Sequence, residues 1–147
     1  MKIEFNNLYT HFIFSTLHRR PIISEIHRVR IEKFTTGVIK NLNSKLYAIY
    51  ANPEHMHFLV SRSPNMSEED LATIVADTTE KFINDNNLCE LRFFWQRSAG
   101  AFSVSKSDVD KVAKYILNQP EHHKTVTYEE EYQSFVKFYQ DTINRKK

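Results

Sequence analysis

The sequence has little glycine, little cysteine and no long apolar run. Only two of its 147 residues are glycine. Phosphate-binding loops of the P-loop and dinucleotide-binding types need several glycines close together, so both types are excluded. The single cysteine, Cys89, can form neither an intrachain disulfide nor a multi-thiolate zinc site, and we therefore expect a reduced, cytoplasmic protein. No apolar run approaches the roughly 18 residues that a membrane span needs, so we expect no membrane association.

An excess of charge of either sign is also missing. Twenty basic and eighteen acidic side chains give a net charge of +2, which neither requires nor opposes a nucleic-acid partner. Hydrophobic residues make up 41% of the chain, enough to fill the core of a domain of this length. Because the sequence contains no repeat, low-complexity tract or linker, we expect one domain over residues 1–147.

Hydrophobic periodicity predicts the element order β-α-β-β-α-β-α-α. Strands are expected at residues 8–15, 44–51 and 55–61 and within 91–104, and helices after Ser24, Ser67, Ser107 and Thr127. Ser67 and Thr127 each begin a capping-box pattern with an acidic residue three positions later. Pro120 is expected to end the third helix. The first six elements are those of a ferredoxin-like split βαβ antiparallel sheet, an α+β fold, with two C-terminal helices appended.

A His-hydrophobic-His pattern lies in the third predicted strand. His55 and His57 project from the same face, about 6.6 Å apart along the strand, and Met56 points to the opposite face, where the two early helices are expected to pack. Two imidazoles on an uncovered face can converge on one divalent metal ion. Because such a spacing also arises by chance, the alternative is a pair of exposed histidines on the sheet.

Tyr115 and Gln119 are four residues apart in the third predicted helix, which would make them surface neighbours. Tyr115 lies about a quarter turn from the stripe of residues expected to be buried. A phenol is a poor nucleophile near neutral pH, but a divalent cation polarises the phosphorus that it attacks. Two imidazoles and the Gln119 amide oxygen would leave positions open on Mg²⁺ or Mn²⁺ for a phosphate oxygen. The alternative is a partly exposed tyrosine without a chemical role.

Three stretches of the sequence carry a family resemblance. They are YTHFIFST with Arg19-Arg20-Pro21 after it, PEHMHFLV, and AFSVS leading into VAKYILNQ and EHH. Together they resemble the single-tyrosine HUH transposases, the small insertion-sequence and REP-associated tyrosine transposases, where HUH denotes His-hydrophobic-His. They span nearly the whole chain in the order and spacing of that family.

The resemblance implies a role for each matching residue. His55 and His57 would be metal ligands, Tyr115 the nucleophile, and Gln119 the residue that completes the metal shell. In the family, the tyrosine attacks single-stranded DNA and leaves a 5′-phosphotyrosine and a free 3′-hydroxyl, and a later attack rejoins the strands. The resemblance also implies recognition of hairpins at element ends, and homodimers with composite active sites.

Four further residues are candidates for DNA contact. Arg19 and Arg20 flank the end of the first predicted strand, and His122 and His123 follow Pro120. Positive side chains at such places can contact phosphates, and for Arg19 and Arg20 the alternative is a solvated surface. For His122 and His123 the alternative is a structural role, and we do not expect them to be metal ligands. His11, on the first strand, is expected to be structural.

Two other functions stay open from the sequence. One is a non-catalytic module that binds single-stranded nucleic acid on its sheet by base stacking, with the histidines incidental. The other is a hydrolytic metal enzyme in which water, and not a tyrosine, is the nucleophile. A covalent adduct with DNA distinguishes the transposase from both.

Overall fold

The computed structural model describes residues 1–145, with side chains up to residue 137. Its elements are β1 (Tyr9–Thr16), α1 (Glu25–Asn41), β2 (Lys45–Ala51), β3 (His55–Ser61), α2 (Glu68–Asp85), β4 (Trp95–Val104), α3 (Val109–Leu117), α4 (Gln119–His122) and α5 (Tyr128–Arg145). The chain divides into two compact units, Met1–Leu117 and the residues from Asn118 onward. The organisation of residues 1–147 as one domain stays a prediction.

The four strands form one antiparallel sheet in the order β2-β3-β1-β4. Two helices connect the strands, α1 between β1 and β2, and α2 between β3 and β4. This topology confirms the predicted ferredoxin-like split βαβ fold. The hairpin of β2 and β3 closes with a backbone hydrogen bond of 2.8 Å from the Asn52 N–H to the His55 carbonyl. The tight turn therefore fixes where β3 begins.

One face of the sheet packs against α1 and α2. Phe12 and Phe14 of β1, with Met56 and Phe58 of β3, point to this face and are buried. The apolar stripes of the two helices complete the cluster with Ile31, Ile39, Leu71, Val75 and Ile83. The two-residue period of β1 and β3 thus places their aromatic and aliphatic side chains in the main core, as the sequence predicts.

The opposite face of the sheet is covered in part by α3. Val109 and Ile116 of α3 form a second buried cluster with Ala48 of β2 and Leu59 of β3. The expectation that this face is uncovered is therefore wrong. The physical reason is that the apolar stripe of α3 requires an apolar surface, and these two strands provide one.

Two of the predicted helix starts are confirmed by their hydrogen bonds. The Ser67 hydroxyl accepts a hydrogen bond of 3.1 Å from the Asp70 N–H. The Thr127 hydroxyl oxygen accepts one of 3.2 Å from the Glu130 N–H. Each bond satisfies one of the N–H groups that have no partner within the first turn of a helix.

The expected cap at Ser107 is wrong. Ser107 lies inside a short 3₁₀ turn over Lys106–Asp108, and α3 begins only after this turn. Ser105 has the extended backbone that precedes the turn, and its carbonyl accepts a hydrogen bond of 2.9 Å from the Asp108 N–H. Ser105, and not Ser107, is therefore the N-cap residue of the helical turn that leads into α3.

Pro120 does not end the third helix. Helix α3 already ends at Leu117, and Pro120 lies in the first turn of the short helix α4. Proline suits that position because the first N–H groups of a helix lack intrahelical acceptors. Three helices, not two, therefore follow the sheet. Tyr115 and Gln119 were expected on one helix and lie on two.

Among the residues that the structure describes, no helix is both long and apolar enough to span a bilayer.

Strand β4 is joined to α2 by a buried hydrogen bond that offers a test of the fold. The Trp95 indole N–H donates to the Thr79 hydroxyl oxygen at 2.9 Å, and both side chains are buried. Thr79→Val keeps the shape but removes the acceptor, so we expect it to lower the free energy of unfolding by about 1–3 kcal/mol in a urea titration.

A double-mutant cycle provides the control. Trp95→Phe should cost less stability in the Thr79→Val background than in the wild type, because the indole N–H then has no acceptor to lose. Strictly additive losses would contradict the proposed coupling of β4 to α2 through this bond.

Candidate active site

His55 and His57 lie on the same face of β3, as the strand period predicts. Their ring centroids are 4.9 Å apart, at an interplanar angle of 76°. Both side chains have a relative exposure of 0%, so the alternative of exposed sheet histidines is wrong. Buried imidazoles need hydrogen-bond partners, and those partners decide which ring nitrogen carries the proton.

Glu54 fixes the protonation of His55. Its carboxylate oxygen Oε1 is 2.7 Å from His55 Nδ1, which therefore carries the proton and donates. A neutral His55 then has its lone pair on Nε2, where the Asn52 amide donates at 3.2 Å. A carboxylate behind a histidine in this way orients the ring and raises the basicity of its other nitrogen. Nε2 of His55 is thus the atom suited to a metal ion.

His57 is paired with His11, a histidine of the neighbouring strand. His57 Nδ1 lies 2.8 Å from His11 Nε2, and both rings are buried. His57 can offer Nε2 to a metal ion only if its Nδ1 carries the proton and donates to His11. His11 is thus built into the site, beyond the purely structural role expected from the sequence. The only sequence signal for this role of His11 is the alternation of side chains along β1. The pairing of β1 with β3 depends on a strand register that the sequence alone does not determine.

Tyr115 of α3 reaches the same histidines. Its ring centroid is 5.9 Å from that of His57, with the rings nearly perpendicular, and 6.5 Å from that of His11. The side chain is half-buried at the edge of the cluster that α3 forms with the sheet. The expected nucleophile and the histidine pair are therefore brought together within one chain.

Three of the predicted site residues belong to the second unit, where their side chains contact Glu131, which the sequence did not indicate. They are Gln119, His122 and His123. Gln119 Nε2 donates to Glu131 Oε2 at 3.2 Å, and His122 Nε2 is 3.1 Å from the same oxygen. His123 Nε2 is 2.8 Å from Gln119 Oε1. Nothing in the sequence pattern marks Glu131, which is one of three acidic residues in the first turn of α5.

Arg19 and Arg20 are exposed on the loop that follows β1. Thr16 ties this loop to the β2–β3 turn, because its hydroxyl lies 2.8 Å from the Arg20 carbonyl and 3.2 Å from the Glu54 carbonyl. The backbone of Arg19 has a φ of 54°, a left-handed conformation that is uncommon for residues other than glycine. The loop is thus fixed beside the turn that leads into His55, and its contact with DNA stays a prediction.

The donor set at β3 fits a divalent cation. Glu54 accepts the Nδ1 proton of His55, and His11 accepts that of His57 in the tautomer with Nδ1 protonated. Nε2 is then the atom of each ring that can bind a metal ion, which at His55 would take the place of the Asn52 amide. Neutral imidazoles are common ligands of divalent transition metals, and an added amide oxygen also suits harder ions such as Mn²⁺.

Two solved structures are similar to this chain in fold. A protein from Deinococcus radiodurans described as a candidate transposase has 17% identity and a TM-score of 0.63, over 81% of this chain and 98% of that one. A REP-associated tyrosine transposase bound to a REP hairpin has 16% identity and a TM-score of 0.59, over 86% of this chain and 74% of that one. No curated protein matches the chain at a significant level.

A family model described as "Transposase IS200 like" matches residues 4–119. The match includes the histidine pair, Tyr115 and Gln119, and it covers all four strands of the sheet. The chain therefore belongs to the IS200-like transposase family, whose members are enzymes that cleave and transfer DNA.

Proposed function

We propose that this transposase cleaves and rejoins single-stranded DNA through a 5′-phosphotyrosine on Tyr115. The observation that carries the proposal is the packing of the Tyr115 ring, edge-on and 5.9 Å away, against His57 of the buried histidine pair. A tyrosine with only a packing role has no need of two oriented imidazoles beside it. A passive binding module would have no need of the carboxylate behind His55.

In the cleavage step, the Tyr115 hydroxyl oxygen attacks a backbone phosphorus. The P–Oη bond forms, the P–O3′ bond breaks, and the leaving 3′ oxygen takes up a proton while the phenol loses one. In the joining step, a 3′-hydroxyl attacks the phosphotyrosine and restores the free phenol. One phosphodiester is exchanged for another, so no high-energy cofactor is needed.

His55, His57 and Gln119 are the residues that we propose as metal ligands. A divalent cation, Mg²⁺ or Mn²⁺, when bound there, would stabilise the negative charge that develops on the phosphate oxygens. In this proposal Glu54 holds the Nδ1 proton of His55 and His11 that of His57, so that each ring presents Nε2 to the ion, which at His55 takes the place of the Asn52 amide.

The proposed substrate is single-stranded DNA that folds into hairpins. It is supported by the REP-associated tyrosine transposase of the same fold, which is bound to a REP hairpin. We propose that the phosphates of this DNA are contacted by Arg19 and Arg20, on the loop fixed beside the β2–β3 turn, and by His122 and His123.

A homodimer with composite sites, which the resemblance implies, is part of the proposal. In such a dimer, Tyr115 would exchange the His57 of its own chain, against which it packs here, for that of the partner protomer.

Tyr115→Phe is the direct test of the nucleophile. With a labelled hairpin oligonucleotide and Mn²⁺, the wild type should form an SDS-resistant protein–DNA adduct. Tyr115→Phe and EDTA should each abolish the adduct, because the first removes the attacking oxygen and the second removes the cation. The measurement is the labelled band in a denaturing gel.

Tyr50→Phe is the matched control. Tyr50 is paired with His57 in the sheet and contacts the same cluster as Tyr115, but burial raises the pKa of its phenol and makes attack harder. We expect its adduct to be unchanged. Cleavage that survives Tyr115→Phe would favour water as the nucleophile, and binding without an adduct would favour a passive module. Loss of the adduct in Tyr50→Phe alone would show that Tyr50, and not Tyr115, is the nucleophile.

His11 is proposed to act as a positioning residue for His57. His11→Leu removes the acceptor of the His57 Nδ1 proton, so we expect it to weaken Mn²⁺ binding about 10–100-fold in calorimetry. His11→Gln retains an acceptor and should restore much of the affinity. Unchanged Mn²⁺ affinity in folded His11→Leu would contradict this role, whereas a loss of stability alone would reflect packing.

A further inference from the structure

Two residues of the second unit, His123 and Glu131, offer donor atoms beside Gln119 that the proposed reaction does not use as metal ligands. We define the α4–α5 cluster as Gln119, His123 and Glu131. Helix α4 begins at Gln119, His123 directly follows it, and Glu131 lies in the first turn of α5. These helices thus bring an amide, an imidazole and a carboxylate together across a short connection.

The side chains of the α4–α5 cluster all lie within 3.4 Å of one another. His123 Nε2 is 2.8 Å from Gln119 Oε1 and 3.4 Å from Glu131 Oε1. Gln119 Nε2 donates to the other carboxylate oxygen of Glu131 at 3.2 Å. This last bond orients the amide, so that the Gln119 oxygen and not its nitrogen faces His123.

The backbone carbonyl of Val126 determines which nitrogen of His123 carries the proton. This carbonyl lies 2.8 Å from His123 Nδ1 and can only accept, so Nδ1 carries a proton. In a neutral imidazole, Nε2 then has a lone pair, which faces an amide oxygen and a carboxylate oxygen. Three acceptor atoms that converge in this way repel one another unless a positive charge lies among them.

The separations suit ligands of one metal ion. In an octahedral shell with metal–ligand distances of about 2.1 Å, adjacent ligands are about 3.0 Å apart. The observed separations of 2.8 and 3.4 Å from His123 Nε2 lie on either side of this value. An ion bound by the Gln119 oxygen would therefore lie within reach of His123 and Glu131 as well.

We propose that His123 and Glu131 are ligands of the same divalent cation as Gln119. This inference rests on the proposed function, in which Gln119 is a metal ligand. The Glu131 carboxylate adds a negative, hard oxygen donor, which favours Mg²⁺ or Mn²⁺ over softer ions. The alternative without metal is a protonated His123 that forms an ion pair with Glu131.

Mn²⁺ affinity of the full chain tests the inference, measured by calorimetry and by the loss of the free-Mn²⁺ electron paramagnetic resonance signal. Glu131→Gln should weaken binding at least 10-fold, because it removes the charged ligand while keeping a similar shape. His123→Gln, which retains hydrogen-bonding capacity, should weaken it comparably and serves as the second variant if Glu131→Gln fails to fold. Thermal unfolding in EDTA checks that each variant is folded.

Glu130→Gln is the matched control. It makes the same change of charge one residue earlier, on an exposed side chain whose contact with the Thr127 hydroxyl an amide oxygen can keep. Its Mn²⁺ affinity should equal that of the wild type. Equal affinity in Glu131→Gln, His123→Gln and Glu130→Gln would overturn the inference and leave the ion pair as the explanation.

Gln119→Ala separates this inference from the proposed function. If Gln119→Ala weakens Mn²⁺ binding and Glu131→Gln does not, only the extended ligand set fails. If neither variant changes the affinity while His57→Gln does, the second unit supplies no ligand, and the proposed role of Gln119 fails too. If no variant, His57→Gln included, changes it, the metal shell proposed here is wrong.

Discussion

The two-residue period of β3 is the constraint on which the rest of the structure depends. It directs Met56 and Phe58 into the core beneath α1 and α2, and His55 and His57 to the opposite face. A register slip of one residue would exchange the two sets and place imidazoles in the main core. Burial of the apolar set thus holds the histidines in place, and the stability of the sheet and the geometry of the site have the same cause.

The sequence predicts this arrangement well where the information is local. Strand alternation gives the faces of β3, and side-chain oxygens at Ser67 and Thr127 mark two helix starts. The end of α3 is harder, because Pro120 is as compatible with the first turn of a new helix as with the end of an old one. The choice between them depends on packing, which no short window of sequence contains.

The partners of the site residues are the part that sequence cannot supply. His11 is 46 residues from His57, and Glu131 is 12 residues from Gln119, so neither pair follows from spacing. The covered second face was missed for the same reason, since it depends on where α3 packs on β2 and β3. These neighbours fix tautomers and ring orientations, and they turn a list of residue types into a site with directed lone pairs.

The proposed reaction requires that a phenolic oxygen of this chain becomes covalently bonded to DNA. Mass spectrometry of the digested adduct, formed on a hairpin oligonucleotide with Mn²⁺, tests it most directly. We expect a nucleotide-phosphate modification on the peptide that contains Tyr115. A modification on any other residue, or cleaved DNA with no modified peptide, would contradict it.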